Sequence, residues 1–462
     1  MQQRLEFDSE LIRRYDTSGP RYTSYPTAVQ FSEAFGEAEY RAWAARSNQA
    51  AGRRPLSLYF HIPFCNTVCF YCACNKVITA NRKRAQPYLD HLYREIRLQG
   101  ELFDRERPVE QLHWGGGTPT FISQDQMREL MAVTAEHFNL LDDDTGEYSI
   151  EIDPREADAS TIALLRELGF NRLSLGVQDF DPKVQKAVNR IQSEAETRAV
   201  LDAAREQGFR STSLDLIYGL PLQTVDSFSR TLEKVIEMDP ARLSIFNYAH
   251  LPQMFKSQRQ IDAAQLPSPD EKLAILGHTI ERLTDAGYVY IGMDHFAKPD
   301  DELAVAQREG TLYRNFQGYS THADCDLVAM GATSISKVGD SYSQNLKALD
   351  AYAEALDAGR LPVFRGIELD ADDILRREVI TRLICNFELD YAAIEDKYGI
   401  DFKAYFASSL QALAPFQADG LLELEAAGIR VLPRGRLLIR NICMQFDRYL
   451  QGGRPERFSK VI

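Results

Sequence analysis

The stretch LSLYFHIPFCNTVCFYCACN, residues 56–75, decides the fold. Its first seven residues, LSLYFHI, form an apolar and aromatic run of the kind that fits a buried strand. Four cysteines then crowd together at 65, 69, 72 and 74. Working outward, similar short runs recur: VEQLHWG at 109–115, YSIEID at 148–153, RLSLGVQ at 172–178, STSLDLIYG at 211–219 and RLSIFNY at 242–248. Between most of them sit helix-like stretches, such as 86–103 and 194–207. Strands alternating with helical segments predict βαβ units and a parallel sheet. Six units across about 200 residues fit a partial or complete barrel better than one nucleotide-binding fold.

Polar residues fall at a consistent place in this rhythm. Cys65, the glycines 115, 116 and 117, Glu151, Gln178, Asp215 and Asn247 all stand at or near the C-terminal ends of predicted strands. In βα architectures that edge holds ligands and chemistry. One such residue means little, but six successive strands doing it predict a site on that rim.

The flanks read differently. Residues 1–54 are polar, with a helix-like pattern over 6–15, followed by RYTSYPT at 21–27, an extended segment that alone reads as an ordinary surface arm. Beyond about residue 365, helix-like segments at 372–388 and 391–398 precede strand-like runs, LLELE at 421–425 and LLIRN at 437–441. The expected organisation is an N-terminal arm at 1–54, a catalytic barrel with its extension at 55–364, and a mostly helical C-terminal domain with a small hairpin at 365–462.

The chain has 462 residues, 67 acidic against 53 basic, for a formal charge of −14. Hydrophobic residues at 44% and charged residues at 26% are ordinary for a globular enzyme and exclude disorder as the main state. No apolar run approaches the roughly 18 residues of a membrane span, so no membrane is expected. The opening MQQRLEFDSELIRRYD does not read as a secretory signal. The acidic balance disfavours nucleic acid while leaving room for a local basic pocket. Seven cysteines are too few for a disulfide framework, and their clustering points to the reducing cytoplasm. Cys325, Cys385 and Cys443 have no partner in any ligand spacing and read as small buried hydrophobes.

Cys65, Cys69 and Cys72 form Cys-x-x-x-Cys-x-x-Cys directly after a strand. Thiolates suit zinc or iron–sulfur clusters. Structural zinc usually takes four closed ligands, often in two separated pairs, and no distant pair is evident here. Three ligands on one loop fit a cubane cluster with one iron left open, with zinc and coincidence as rivals. The glycines at 115–117 let backbone approach a ligand and expose polar groups, or make a tight turn. Glu151 lies opposite Ile150 and Ile152, and Asp215 stands between Leu214 and Leu216. Each is a candidate to fix an ammonium or ribose hydroxyls in a barrel mouth, or to form a structural salt bridge.

CNTVCFYCACN at 65–75 resembles the cluster loop of radical S-adenosylmethionine (SAM) enzymes. The resemblance narrows with RYTSYPT at 21–27, YFHIPFC at 59–65, HWGGGTPT at 113–120, SIEIDPRE at 149–156, LGVQDFD at 175–181, DLIYGLP at 215–221, GMDHFAKPDDELA at 292–304 and RNFQGYST at 314–321. All are similar to the oxygen-independent coproporphyrinogen III oxidases, over about residues 15–450. The fold this implies is α/β, a partial (β/α)6 TIM-like radical SAM barrel with an N-terminal arm and a mostly helical C-terminal domain.

The resemblance implies that Cys65, Cys69 and Cys72 hold a [4Fe–4S] cluster whose open iron is chelated by SAM. It implies two SAM molecules. Tyr59, Gly116, Glu151, Ala249 and Ile335 match positions around the cluster-bound one, and Tyr71, Gly117, Thr118, Gln178, Arg190 and Asp215 match positions around the second. Without it, Tyr59, Ala249 and Ile335 read as core and Tyr71 as packing. Catalytic roles are expected for Tyr59, Glu151 and Cys74, the last on the substrate or second-SAM side rather than as a ligand. Weaker candidates to line the substrate cavity are His61, Asp294, His295 and Gln317, with Arg21 and Tyr22 of the arm closing over it.

The implied reaction is oxidative decarboxylation. A 5′-deoxyadenosyl radical takes a hydrogen from the β-carbon of each of two propionates of coproporphyrinogen III, and loss of carbon dioxide and an electron leaves the vinyl groups of protoporphyrinogen IX. SAM is then a co-substrate, a flavodoxin- or ferredoxin-type protein the expected electron donor, and a monomer the expected state. A haem-carrying chaperone and a radical SAM methyltransferase are the rivals. The arm and Cys74 both favour the oxidase, because such chaperones lack the arm and carry phenylalanine at the Cys74 position.

Overall fold

The computed structural model describes residues 4–49, 53–450 and 460. The expected parts 1–54 and 365–462 include residues 1–3, 50–52, 451–459 and 461–462, which lie outside the described residues. Each of the six runs expected as a strand forms one: β1 Leu56–Ile62, β2 Pro108–Gly116, β3 Glu147–Ile152, β4 Arg172–Gln178, β5 Ser211–Tyr218 and β6 Arg242–Asn247. They pair in parallel, in chain order. Helices including Ala85–Gly100, Gln124–His137, Glu194–Glu206 and Val225–Met238 return the chain between them. Three of these begin on side-chain caps, at Ser123, Ser193 and Thr224, which satisfy the first free backbone N–H groups.

Burial follows the side-chain alternation. In β3, Tyr148, Ile150 and Ile152 are buried while Ser149 and Glu151 face the other way. In β5, Leu214 and Leu216 are fully buried on one face and Asp215 stands on the other. The apolar faces meet the helices, and the polar faces line the concave side of the sheet.

The sheet is larger than six strands. Asp326–Met330 pairs in parallel with β1 on the side away from β2. Ile335–Val338, Ser341–Asn345 and Val363–Glu368 continue that edge in antiparallel fashion. Beyond β6, His295–Ala297 and Val289–Gly292 form an antiparallel edge. Among the described residues no pairing joins the two ends of this row, so the strands make a partial barrel. Val363–Glu368, which spans residue 364, belongs to this sheet.

Two expectations are corrected outside the barrel. RYTSYPT is neither uniformly extended nor a surface arm: Tyr22 has φ +47°, Tyr25–Pro26 is cis, and Tyr22 and Tyr25 are buried. The arm is stapled to the C-terminal segment. Tyr22 Oη donates to Asp447 Oδ2 at 3.0 Å, Arg440 Nε donates to Pro20 O at 2.9 Å, and Tyr25 Oη accepts from the Arg448 N–H at 3.1 Å. The second correction concerns LLIRN, which is helical, split between Pro433–Leu438 and Ile439–Met444. Leu438, Ile439 and Ile442 are buried together, a helical spacing that five residues are too few to reveal. The small sheet instead pairs Gly428–Val431 with Leu422–Leu424 and with Glu388–Asp390, beside the helices Ala371–Asn386 and Tyr391–Tyr398.

Candidate active site

Beyond the end of β1, the pair Phe64–Cys65 lies parallel to Val77–Ile78 and closes residues 66–76 into a compact loop at the rim. Side chains from other loops, and Lys76 of the loop itself, fasten its backbone. Asn189 Nδ2 donates to Val68 O at 2.8 Å, Gln258 Nε2 to Tyr71 O at 2.9 Å, and Lys76 Nζ and Ser257 Oγ to Cys72 O, each at 2.9 Å. The loop is therefore held before any ligand arrives.

Cys65, Cys69 and Cys72 line one cavity of about 300 Å³. Donors surround their sulfurs: Thr118 Oγ1 stands 3.6 Å from Cys65 Sγ, and Arg190 Nη1 and Arg155 Nη2 stand 3.5 and 3.9 Å from Cys69 Sγ. Three thiols ringed by guanidinium, ammonium and hydroxyl donors fit a thiolate-held cluster of net negative charge. Cys74 is exposed at the edge of this cavity.

Arg190 is almost fully buried, and its charge is met by Asp153 Oδ2 at 2.9 Å, which Arg155 Nη2 also reaches at 2.6 Å. Burial raises the Asp153 carboxyl, but the hydrogen bond of Arg155 and the two guanidinium charges outweigh it and hold the group below its ordinary value. Arg190 Nη2 also donates to Gly176 O at 2.6 Å. There β4 breaks register, and Gln178 adopts φ +69°. A non-glycine residue held in the left-handed region marks a constrained position, and this one faces the cavity.

The end of β2 is shaped by its glycines. A Cβ on Gly117 would lie 2.7 Å from Pro63 C and 2.8 Å from Phe64 O, so only glycine lets β2 close on the cysteine loop. Of the polar groups expected to be exposed here, three N–H groups have partners within the protein. The N–H groups of Gly117 and Thr118 donate to Ile62 O and Phe64 O, both at 2.8 Å, and the Gly116 N–H donates to Glu151 Oε2 at 3.1 Å.

Glu151 also lies 3.5 Å, through Oε1, from His113 Nε2. Its depth in the cleft raises the carboxyl, but the bond and charge of His113 and the Gly116 N–H bring it below its ordinary value. Tyr59 stacks on His113 at 5.8 Å, and its hydroxyl is 3.2 Å from His61 Nδ1. Asp215 accepts from Ser174 Oγ at 3.0 Å, and burial pushes its carboxyl up to about 6.

The candidates sort into adjoining spaces. Tyr71, Gly117, Thr118, Gln178, Arg190 and Asp215 line the cavity with the cysteines. Tyr59, Gly116, Glu151 and Ile335 line a second cavity of about 320 Å³, with His61 and Gln317. Cys74, Gly116 and Glu151 border both. Ala249 is apart from its expected companions, in a third cavity of about 390 Å³ with Arg21 and Asp294. Arg21 and Asp294 are joined there by an ion pair. Tyr22 points away into the core. His295 packs edge-on against Phe246 and Tyr319, with Nδ1 buried and unpartnered. Sequence reasoning missed His113, Asp153 and Arg155. The signals were present in HWGGG and IDPRE, two residues before the glycines and two and four residues after Glu151.

Residues 59–235 match the radical SAM superfamily and residues 369–438 match the HemN C-terminal domain. The chain is 59% identical to the oxygen-independent coproporphyrinogen III oxidase of Pseudomonas aeruginosa, over 99% of both chains. It is 54% identical to that of Escherichia coli, over 100% of this chain and 99% of the relative. The solved structure of the Escherichia coli coproporphyrinogen III oxidase, described as a radical SAM enzyme, superimposes with a TM-score of 0.92, covering 97% of this chain and 100% of that one.

Proposed function

The chain belongs to the oxygen-independent coproporphyrinogen III oxidases, radical SAM enzymes that use a [4Fe–4S] cluster and SAM, and we propose that its first two cavities hold two SAM molecules consumed per turnover. The reaction converts two propionate side chains of coproporphyrinogen III into the vinyl groups of protoporphyrinogen IX. The observation that carries the two-SAM reading is the partition of the candidate residues, Ala249 excepted, between two spaces that share the wall made by Gly116 and Glu151.

Cys65, Cys69 and Cys72 would hold the cluster, with Arg155, Arg190 and Thr118 placed to donate to their sulfurs. When bound, cluster and SAM supply reductive cleavage of the sulfonium C–S bond and, from it, the organic radical that takes hydrogen from a propionate. Glu151 offers a carboxylate to an ammonium or ribose hydroxyls beside the glycines, with Tyr59 and Ile335 as the apolar walls of the same space. In the other, Asp215, Gln178 and Arg190 offer polar contacts, and Tyr71, Gly117 and Thr118 close the side toward the cysteine loop.

The separate cavity holding Arg21, Lys272, Arg440 and Ala249 suits a tetra-anionic substrate, because guanidinium groups pair well with carboxylates. Arg21, on the arm, would exchange Asp294 for a propionate. Cys74 is assigned to the substrate side, at the border of the two SAM spaces. The parts we propose are an arm through residue 54, a catalytic barrel through about 364, and a C-terminal domain. The arm and the C-terminal segment of one chain are bonded to each other without a second chain, which supports a monomer. A flavodoxin- or ferredoxin-type donor meets the need for a low-potential electron, and seven unpaired cysteines suit the cytoplasm. No helix among the described residues is long and apolar enough to cross a membrane.

Equilibrium binding of SAM to the cluster-loaded protein tests the reading. Two sites are expected, with Gln178→Ala and Asp215→Ala weakening one and leaving the other. A single site, or equal loss at both, would overturn it.

A further inference from the structure

At the far end of the strands from the cysteine loop, three ligand-type side chains meet. Glu110 stands early in β2, and His322 and Cys325 lie on the turn leading into Asp326–Met330. The sequence reading left Cys325 without a partner, because Glu110 is remote in the chain. In space, one ligand atom from each of the three lies within 4.8 Å of the others. His322 Nδ1 faces Glu110 Oε2 at 3.4 Å. The opposite ring nitrogen, Nε2, faces Glu147 Oε2 at 3.8 Å.

Glu147 supplies an independent sign. It is 7% exposed, and its Oε1 accepts from Gln111 Nε2 at 3.0 Å, whereas its Oε2 is buried with no hydrogen-bond partner. A buried carboxylate oxygen without a donor is costly. Here it points at the ring nitrogen that would carry a proton if the other one bound a cation. A ligating histidine almost always gives its second N–H to a carboxylate in this way. The turn is preset, because Ser320 Oγ accepts from both the His322 N–H and Gln111 Nε2 at 3.0 Å.

We propose that Glu110, His322 and Cys325 form a binding site for a divalent cation of the zinc class, with Glu147 orienting His322. A nitrogen, a sulfur and a carboxylate oxygen suit zinc in tetrahedral coordination, with the fourth position left to water. Metal–ligand bonds of about 2.0–2.3 Å require the three atoms to draw in by roughly 1 Å, a movement within reach of side chains on a turn. Binding replaces the Cys325 S–H proton by the metal and releases that proton to solvent. All three ligands line a cavity of about 690 Å³ between the sheet and the helices Ala371–Asn386 and Tyr391–Tyr398, which provides the entry path. The site ties the early part of β2 to the strand that joins β1 on its other side.

The test uses protein whose [4Fe–4S] cluster is already loaded, so that the cluster cysteines do not compete. After anaerobic dialysis against micromolar zinc, elemental analysis is expected to find one zinc per chain. Cys325→Ser and His322→Ala are expected to lower zinc affinity at least tenfold with iron content unchanged, which also shows that the variants fold. Glu147→Gln, which removes only the orienting carboxylate, is expected to lower affinity by about tenfold. No zinc on the wild-type protein, or the same zinc on wild type and Cys325→Ser, would overturn the proposal.

Discussion

The Gly116 N–H donates to Glu151 Oε2 at 3.1 Å, joining the C-terminal ends of the neighbouring strands β2 and β3. With His113 on the other oxygen, the carboxylate is held charged and aimed into the space beside the cysteine loop. Glu151→Gln keeps the shape but removes the charge. It is expected to leave iron content intact and weaken SAM binding at least tenfold, since hydrogen bonds to charged groups contribute about 1.5–3 kcal/mol. Unchanged SAM affinity would reduce Glu151 to a structural partner of His113.

Asp215 gives a pH signature. Its folded carboxyl titrates near 6, above the unfolded value of about 4, so the folded protein binds the extra proton. Its unfavourable contribution is absent below about pH 4 and develops as pH rises to about 6, reaching of order 2 kcal/mol. Relative to Asp215→Asn, the SAM-free protein should lose stability across that window and stay offset above it. A difference in melting temperature that is flat from pH 4 to 7 would contradict this.

Gly117→Ala is expected to cost about 2 kcal/mol or more, because the new methyl meets the backbone of Pro63 and Phe64 rather than a movable side chain. The damage falls on the segment that leads into Cys65. Iron content after reconstitution should fall together with the melting temperature, and full iron loading would contradict the role given to this close approach.

These positions mark what the chain makes legible on its own. The short apolar and aromatic runs locate β1 to β6, and the polar residue at or near the end of each locates the rim, because a parallel sheet covered by helices leaves few other reasons for Glu151 or Asp215 among apolar neighbours. His295–Ala297 and Asp326–Met330 were not legible, since three and five residues carry too little pattern and their pairing is set by partners remote in the chain. His113 and Asp153 escaped for another reason. Their roles come from contacts across strands, with Glu151 and with Arg190, which linear spacing does not encode.

The roles proposed for Cys74 and the arm separate substrate chemistry from cluster chemistry in a testable way. Cys74→Ser is expected to keep the cluster and SAM cleavage and to lose vinyl formation. Arg21→Ala, which breaks the pair with Asp294, is expected to raise the KM for coproporphyrinogen III with SAM cleavage retained. Loss of the cluster in Cys74→Ser would make it a ligand after all, and an unchanged KM in Arg21→Ala would remove the arm from substrate binding.

The most direct measurement is the product ratio in anaerobic turnover of the reconstituted protein with coproporphyrinogen III, SAM and a low-potential reductant. Two methionines and two 5′-deoxyadenosines are predicted for each protoporphyrinogen IX formed. SAM cleavage without vinyl formation, or a single methionine per protoporphyrinogen IX, would contradict the account.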